Sequence, residues 1–189
     1  MTVRSSPLAL TVLALLMYKP QHMYGIQRLV QEWGKDLVVN VGQRTSLYRT
    51  VERLADEGLV AARETQRHQA YPERTVYEVT EAGREVARTW LGEMLADARY
   101  EFPRFPAALS HVLMISPAET ADHLRRRLAT LTKQLQDMET RLADQSDDGL
   151  DRVGLLEFEY LRAVTAAEAE WIRSVVDDVE SGRLTWTSA

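Results

Sequence analysis

Leu59-Val60-Ala61-Ala62-Arg63-Glu64-Thr65 and Arg74-Thr75-Val76-Tyr77-Glu78-Val79-Thr80 are the two stretches that decide the fold. Both are strand-like, and in the second Val76 and Glu78 alternate with Thr75, Tyr77 and Val79. The polar span Gln66 to Glu73 joins them as a hairpin loop. Two strands do not make a stable sheet by themselves, so this hairpin must pack on helices.

Those helices lie on either side of it. Ser6 as N-cap and Pro7 at the first helical position start a first helix that runs to about Tyr18 and ends before Pro20. A second, about His22 to Trp33, spaces Ile26, Leu29, Val30 and Trp33 along one face and stops at Gly34. The span Lys35 to Val41 is β-prone but short enough for only a connecting strand or turn. Arg44 to Glu57 reads as a third helix with a Leu47, Val51, Leu54 stripe, and Gly58 is placed as its C-cap. After the hairpin, Thr80 as N-cap with Gly83 at N3 opens a fourth helix carrying Val86, Trp90, Leu91, Met94 and Leu95. Three helices followed by a two-stranded wing is the order of a winged helix-turn-helix.

Phe102-Pro103-Arg104-Phe105-Pro106 marks a boundary, dividing the chain into a winged-helix domain over 1–98 and an α-helical domain over 99–189. Helices are expected at about Pro106 to Met114, Pro117 to Gln145 and Leu150 to Ser181, so the chain as a whole is mainly α. Leu124, Leu128, Leu131, Leu135, Met138 and Leu142 follow heptad spacing. The last helix repeats it with Val153, Leu156, Tyr160, Val164, Ala167, Trp171 and Val175. Two such seams can pair within one chain. Leu155, Phe158, Leu161, Ile172, Val176 and Val179, together with Trp171, widen the apolar surface, and a second copy of the protein is its expected cover.

With 189 residues, 45% hydrophobic and 27% charged, the chain is long enough to build a core without metal or disulfide. It has no cysteine, which excludes thiol catalysis, Fe-S clusters and thiolate zinc sites and is compatible with a reducing cytoplasm. A net charge of -5 argues at first against a nucleic-acid partner. The charge is unevenly spread, however: residues 1–92 hold 12 Lys+Arg against 10 Asp+Glu, and residues 93–189 hold 11 against 18. Arg4 followed by Leu8 to Met17 imitates a signal peptide, yet no small-residue cleavage site follows and the run is too short to span a bilayer. His22, His68, His111 and His123 show no metal-ligand spacing, and no hydrolase elbow, phosphate loop or dinucleotide fingerprint is present. The reading is therefore of a non-enzyme without cofactor or metal.

Gln43-Arg44-Thr45-Ser46-Leu47-Tyr48-Arg49 opens the third helix. With Leu47 turned inward, residues 44, 45, 48 and 49 project outward. Arg and Gln read guanine and adenine edges, and Ser or Thr bonds phosphate. A helix of this composition preceded by helix and turn is shaped for a major groove, the alternative being a solvated polar face. The hairpin loop adds Arg67, His68, Tyr71 and Arg74, flanked by Arg63, as a wing for phosphates or the minor groove. Lys19, just before the second helix, is a further candidate for backbone contact. Tyr18, Trp33, Trp90, Tyr160 and Trp171 are candidates for an apolar effector pocket, although each taken singly reads more readily as core.

Pro7-Leu8-Ala9-Leu10, His22-Met23-Tyr24-Gly25-Ile26, Ser46-Leu47-Tyr48-Arg49, Glu57-Gly58-Leu59-Val60 and Pro72-Glu73-Arg74-Thr75-Val76-Tyr77 through Thr80-Glu81-Ala82-Gly83-Arg84 together resemble the PadR family of transcriptional regulators. The tail, with Phe105-Pro106-Ala107-Ala108-Leu109 and Gly182-Arg183-Leu184-Thr185-Trp186, is similar to the longer members with a multi-helix C-terminal domain. The resemblance implies a homodimeric DNA-binding regulator, usually a repressor, released from its operator by a small molecule or another cue. One third helix per protomer in a major groove of double-stranded DNA makes an inverted repeat the expected operator, and the candidate pocket makes a small aromatic or hydrophobic effector, in the cytoplasm, the expected cue. Tyr24, Ser46, Tyr48 and Arg49 fall where the family contacts or supports DNA, and Arg74 falls at the wing. Members often carry His-Gly-Tyr-Glu where this chain has His22-Met23-Tyr24-Gly25, and a glycine in the wing where Gln66 to Tyr71 has none. A winged helix used only for protein contacts is the competing reading.

Overall fold

The computed structural model describes residues 4–39, 44–66, 74–98, 101–147 and 151–188. It divides into two compact units, Met1–Tyr100 and Glu101–Ala189. The described residues are mainly helical with one small antiparallel sheet.

In the first unit, α1 (Pro7–Tyr18) begins as its sequence dictates: the Ser6 hydroxyl accepts the Ala9 amide at 3.2 Å and Pro7 occupies the first turn. Ala9, Val12, Leu13, Leu15 and Leu16 are buried on several sides of α1, so this helix is the centre of the core. Around it pack Ile26 and Val30 of α2 (Met23–Glu32) and Leu47, Val51 and Leu54 of α3 (Arg44–Asp56). Each large side chain so buried contributes about 1.5–3 kcal/mol.

The sheet differs from the expected two-stranded wing. β2 (Val60–Gln66) and β3 (Arg74–Val79) form the hairpin, and a third strand, β1 (Gln21–His22), pairs with the other edge of β3, giving the order β1-β3-β2. Gln21 lies opposite Tyr77 and His22 opposite Val76. Two residues have no periodicity to read, and only pairing with a strand some fifty residues away makes them one. The second helix accordingly starts at Met23 rather than at His22, which caps it. The span after Gly34 forms a 3-10 turn, Lys35–Leu37, instead of a strand, with Gly34 in the left-handed region at φ 64°. A register shift interrupts the hairpin between Ala62 and Glu64.

Thr80 joins the layers. Its hydroxyl accepts the Gly83 amide at 3.0 Å, capping α4 (Glu81–Ala96), and donates to the Gly58 carbonyl at 2.8 Å. The inner face of α4 is Gly83, Ala87 and Trp90, whereas Leu91 and Leu95, expected in its apolar stripe, are exposed.

In the second unit, α5 (Arg104–Leu109) and a 3-10 turn at Val112–Met114 replace the single helix expected there. Two long helices follow, α6 (Pro117–Asp147) and α7 (Leu156–Glu180). The pairs Arg125–Glu180, Arg127–Glu168 and Glu139–Arg162 run in opposite chain order, so α6 and α7 are antiparallel. Leu124 and Leu131 of α6 meet Ala169, Ile172 and Val176 of α7 in the core. The tail folds back, the Trp186 indole donating to the Ile115 carbonyl at 2.9 Å.

Candidate nucleic-acid interface

Burial of Leu47, Val51 and Leu54 fixes the rotation of α3 and turns the opposite face to solvent. Thr45, Tyr48 and Arg49 are exposed, Tyr48 by 50%, and Ser46 is half-buried beside them. Thr45, Ser46, Arg49, Thr50 and Arg53 line a shallow concavity of about 440 Å³. Its lining is hydroxyl and guanidinium, the chemistry of an anion-binding surface.

The other predicted contact residues are placed as follows. Lys19 is exposed where α1 ends and the chain turns into β1. Tyr24 is exposed in the first turn of α2, its ring 6.2 Å from that of His22. Arg44 opens α3 and Arg74 opens β3, paired in register with Gln66. Gln43, Arg67 and His68 lie outside the described residues. Arg53, Thr50 and Arg4 were not in the predicted set. The Arg53 guanidinium donates to the Arg4 carbonyl at 3.1 Å and to Glu57 at 3.4 Å. No sequence spacing relates residues 4 and 53.

Of the five aromatics considered for an effector pocket, Tyr18, Trp33 and Trp90 belong to the first unit and Tyr160 and Trp171 to the second. Tyr18 and Trp33 meet edge to face at 5.0 Å, and Trp90, 5% exposed, belongs to the core of the first unit. Tyr160 and Trp171 stand on α7, 67% and 45% exposed. The Trp171 ring meets Phe105 at 6.1 Å, and the Arg127 guanidinium sits 3.9 Å from the Phe105 ring centroid while pairing with Glu168. Together with Leu109 and Val164 these side chains border a largely apolar cleft of about 680 Å³ within the second unit. Phe105 stands in the sequence within the boundary segment and the tail motif, and Arg127 is part of no motif.

Burial of the two apolar faces of α7 is the reverse of the expectation. Leu155, Phe158, Ile172 and Val176, read as a surface for a second copy, are buried within the chain, and Leu161 and Val179 are half-buried. Of that set only Trp171 remains exposed, alongside Val153, Leu156, Tyr160 and Val164 from the seam expected to pair internally. The spacing is the same for both faces, and only the rotation of α7 against α6 selects one of them.

Among the described residues no three acidic or histidine side chains gather as a metal site, and no helix is long and apolar enough to cross a membrane.

Residues 12–89 match the model of the transcriptional regulator PadR-like family. No curated protein is significantly similar in sequence. The fold is similar to that of Bacillus subtilis PadR in complex with operator DNA, with a TM-score of 0.76 at 17% identity over 92% of this chain and 99% of that one. Bacillus subtilis PadR in complex with p-coumaric acid gives 0.72 at 16% over 92% and 98%. The Vibrio cholerae virulence activator AphA gives 0.69 at 18%, also over 92% and 98%. These relatives are regulators rather than enzymes. The family match thus lies within the N-terminal unit, and the fold of the chain is similar to that of the solved PadR regulators.

Proposed function

We propose that the protein is a sequence-specific DNA-binding repressor that acts as a homodimer on an inverted repeat and is released by a small aromatic or hydrophobic effector. The observation that carries this reading is the outward face of α3, where Thr45, Tyr48 and Arg49 stand exposed opposite a fully buried stripe. Arg49 and its neighbours read base edges in the major groove, Ser46 and Thr45 bond phosphate, and the wing residues Arg67, His68 and Arg74 press on the flanking backbone. Tyr24 and Lys19 add backbone contacts ahead of α2. The solved structure of Bacillus subtilis PadR with operator DNA supports the use of this fold on a duplex.

The exposed α7 stripe of Leu156, Tyr160, Val164 and Trp171 supports a second copy as partner, because a contiguous exposed apolar row marks a contact surface. Paired protomers then present two α3 helices to half-sites about one helical turn, or a multiple, apart. The cleft beside Phe105 and Trp171 is the candidate effector site, and the p-coumaric acid complex of Bacillus subtilis PadR supports an aromatic ligand.

The test is binding to the DNA upstream of the protein's own gene, followed by gel shift. Tyr48→Ala and Arg49→Ala abolish the shifted band while leaving the fold intact. Undiminished binding by both variants overturns the assignment of α3.

A further inference from the structure

We infer that Arg4, ahead of the first helix, is a DNA phosphate contact, placed by Arg53 at the edge of the groove that α3 enters. The inference rests on the α3 reading above and extends the interface to a segment outside the helix-turn-helix and the wing.

Three observations carry it. Arg4 is fixed from two directions: its carbonyl accepts the Arg53 guanidinium at 3.1 Å, and two residues later the Ser6 side chain caps α1. The backbone at Arg4 therefore lies against the third turn of α3 in a defined place. Next, charge collects there without being neutralised. Among the described residues Arg4 and Arg49 make no ion pair, and Arg53 has only Glu57, at 3.4 Å, as its acid partner. Both Arg4 and Arg49 are solvent-exposed, and the concavity between Thr45 and Arg53 is lined by hydroxyls and guanidinia.

The third observation is length. Thr45 and Arg53 lie on one wall of that concavity, eight residues apart, which on a helix rising 1.5 Å per residue is about 12 Å. The major groove of B-DNA is also about 12 Å wide. With the start of α3 over the base edges, Arg53 and the attached Arg4 come to the groove margin, where the sugar-phosphate backbone runs. Glu52 and Asp56 of α3 and Glu57 just beyond it oppose this attraction, but none of them lines the concavity, whose charged residues are Arg49 and Arg53. A contact of this kind carries no sequence information and shows itself in affinity and salt dependence.

The experiment measures fluorescence anisotropy of the full-length protein with two labelled duplexes, the upstream DNA of its own gene and a mixed-sequence control, across a series of salt concentrations. Arg4→Ala weakens binding to both and makes the slope of log K against log salt shallower by about 0.9 for each protomer bound. That slope lost over the decade below 1 M salt is about an eightfold loss of affinity per protomer at 0.1 M. Arg4→Lys keeps the wild-type slope because it keeps the charge. Arg53→Ala lowers the slope by more than Arg4→Ala, since it removes one cation and unties the other. Wild-type slope and affinity in Arg4→Ala, with binding still lost in Arg49→Ala, overturn the role of Arg4 and leave the α3 reading standing. If Arg49→Ala also binds as the wild type does, both fall. Circular dichroism melts identical to wild type are expected for Arg4→Ala, and a lowered melt assigns the residue to the fold instead.

Discussion

The Nδ1 atom of His22 accepts the Gly25 amide at 2.7 Å, so the residue that pairs with Val76 in the sheet also caps the helix carrying Tyr24. One side chain thus sets where the strand stops and the helix starts. Because the ring nitrogen acts as acceptor, the other nitrogen carries the proton in the neutral form.

His22→Ala removes the acceptor and leaves the Gly25 amide without it, at a cost of about 1 kcal/mol. His22→Asn restores an oxygen acceptor at the same position and recovers most of that loss. Urea unfolding of the two variants checks the pair, and equal stability of Ala and Asn refutes the cap.

Two glycines of α4 separate close packing from helix propensity. A Cβ on Gly83 falls 2.1 Å from the Leu59 carbonyl oxygen, main chain that cannot swing aside, whereas one on Gly92 meets nothing within 4 Å. Gly83→Ala is expected to destabilise by about 1–3 kcal/mol or more. Gly92→Ala, in the same helix, stabilises by about 0.5–1 kcal/mol. Thermal melts that move in the same direction for both contradict the packing of α4 on the turn at Leu59.

The two faces of α7 give opposite phenotypes. Tyr160→Glu combined with Trp171→Glu places charge on the exposed stripe and yields a folded monomer by sedimentation. Ile172→Ala, at a site with 0% exposure, costs about 2–5 kcal/mol and leaves the association of the remaining folded protein unchanged. A dimer that survives the double glutamate substitution removes this stripe from the interface.

Ser116 and Glu119 form a reciprocal cap ahead of α6. The Glu119 carboxylate accepts the Ser116 amide at 3.0 Å and its hydroxyl at 2.7 Å, and the Ser116 oxygen accepts the Glu119 amide at 3.3 Å. The Ser116 hydroxyl, and after it the Ser116 amide, hold the carboxyl below the usual glutamate range. A carboxylate so depressed stabilises the fold fully above its unfolded value and loses that contribution as pH falls through the folded one. The protection of the amides at the start of α6, relative to their intrinsic exchange rates, therefore falls in acid below the ordinary glutamate range. Glu119→Gln flattens that dependence, and an unchanged profile in this variant refutes the assignment.

Much was legible in local sequence. Ser6 with Pro7, Thr80 with Gly83, and Gly58 after the Leu47, Val51, Leu54 stripe specified helix ends, because capping and left-handed turns depend on residues a few positions apart. The exposure of Tyr48 and Arg49 followed from the same arithmetic, since a buried Leu47 fixes what lies opposite. The change from helical to alternating period set the hairpin, and with it the order of a winged helix.

What tertiary structure decided involved distance along the chain or a choice between equivalent faces. Gln21 and His22 become a strand only because β3 offers its free edge, and Arg4 reaches Arg53 only because α1 packs on α3. The periodicity of α7 supplied two apolar faces of nearly equal merit. The rotation that seats Ile172 and Val176 against Leu124 and Leu131 chose the buried one, leaving Tyr160 and Trp171 outside. Sequence thus determined the ends of α1, α3 and the hairpin strands and the buried stripe of α3, since these are properties of neighbours. Which apolar face is covered, and which distant residues meet, is settled by the packing of whole elements.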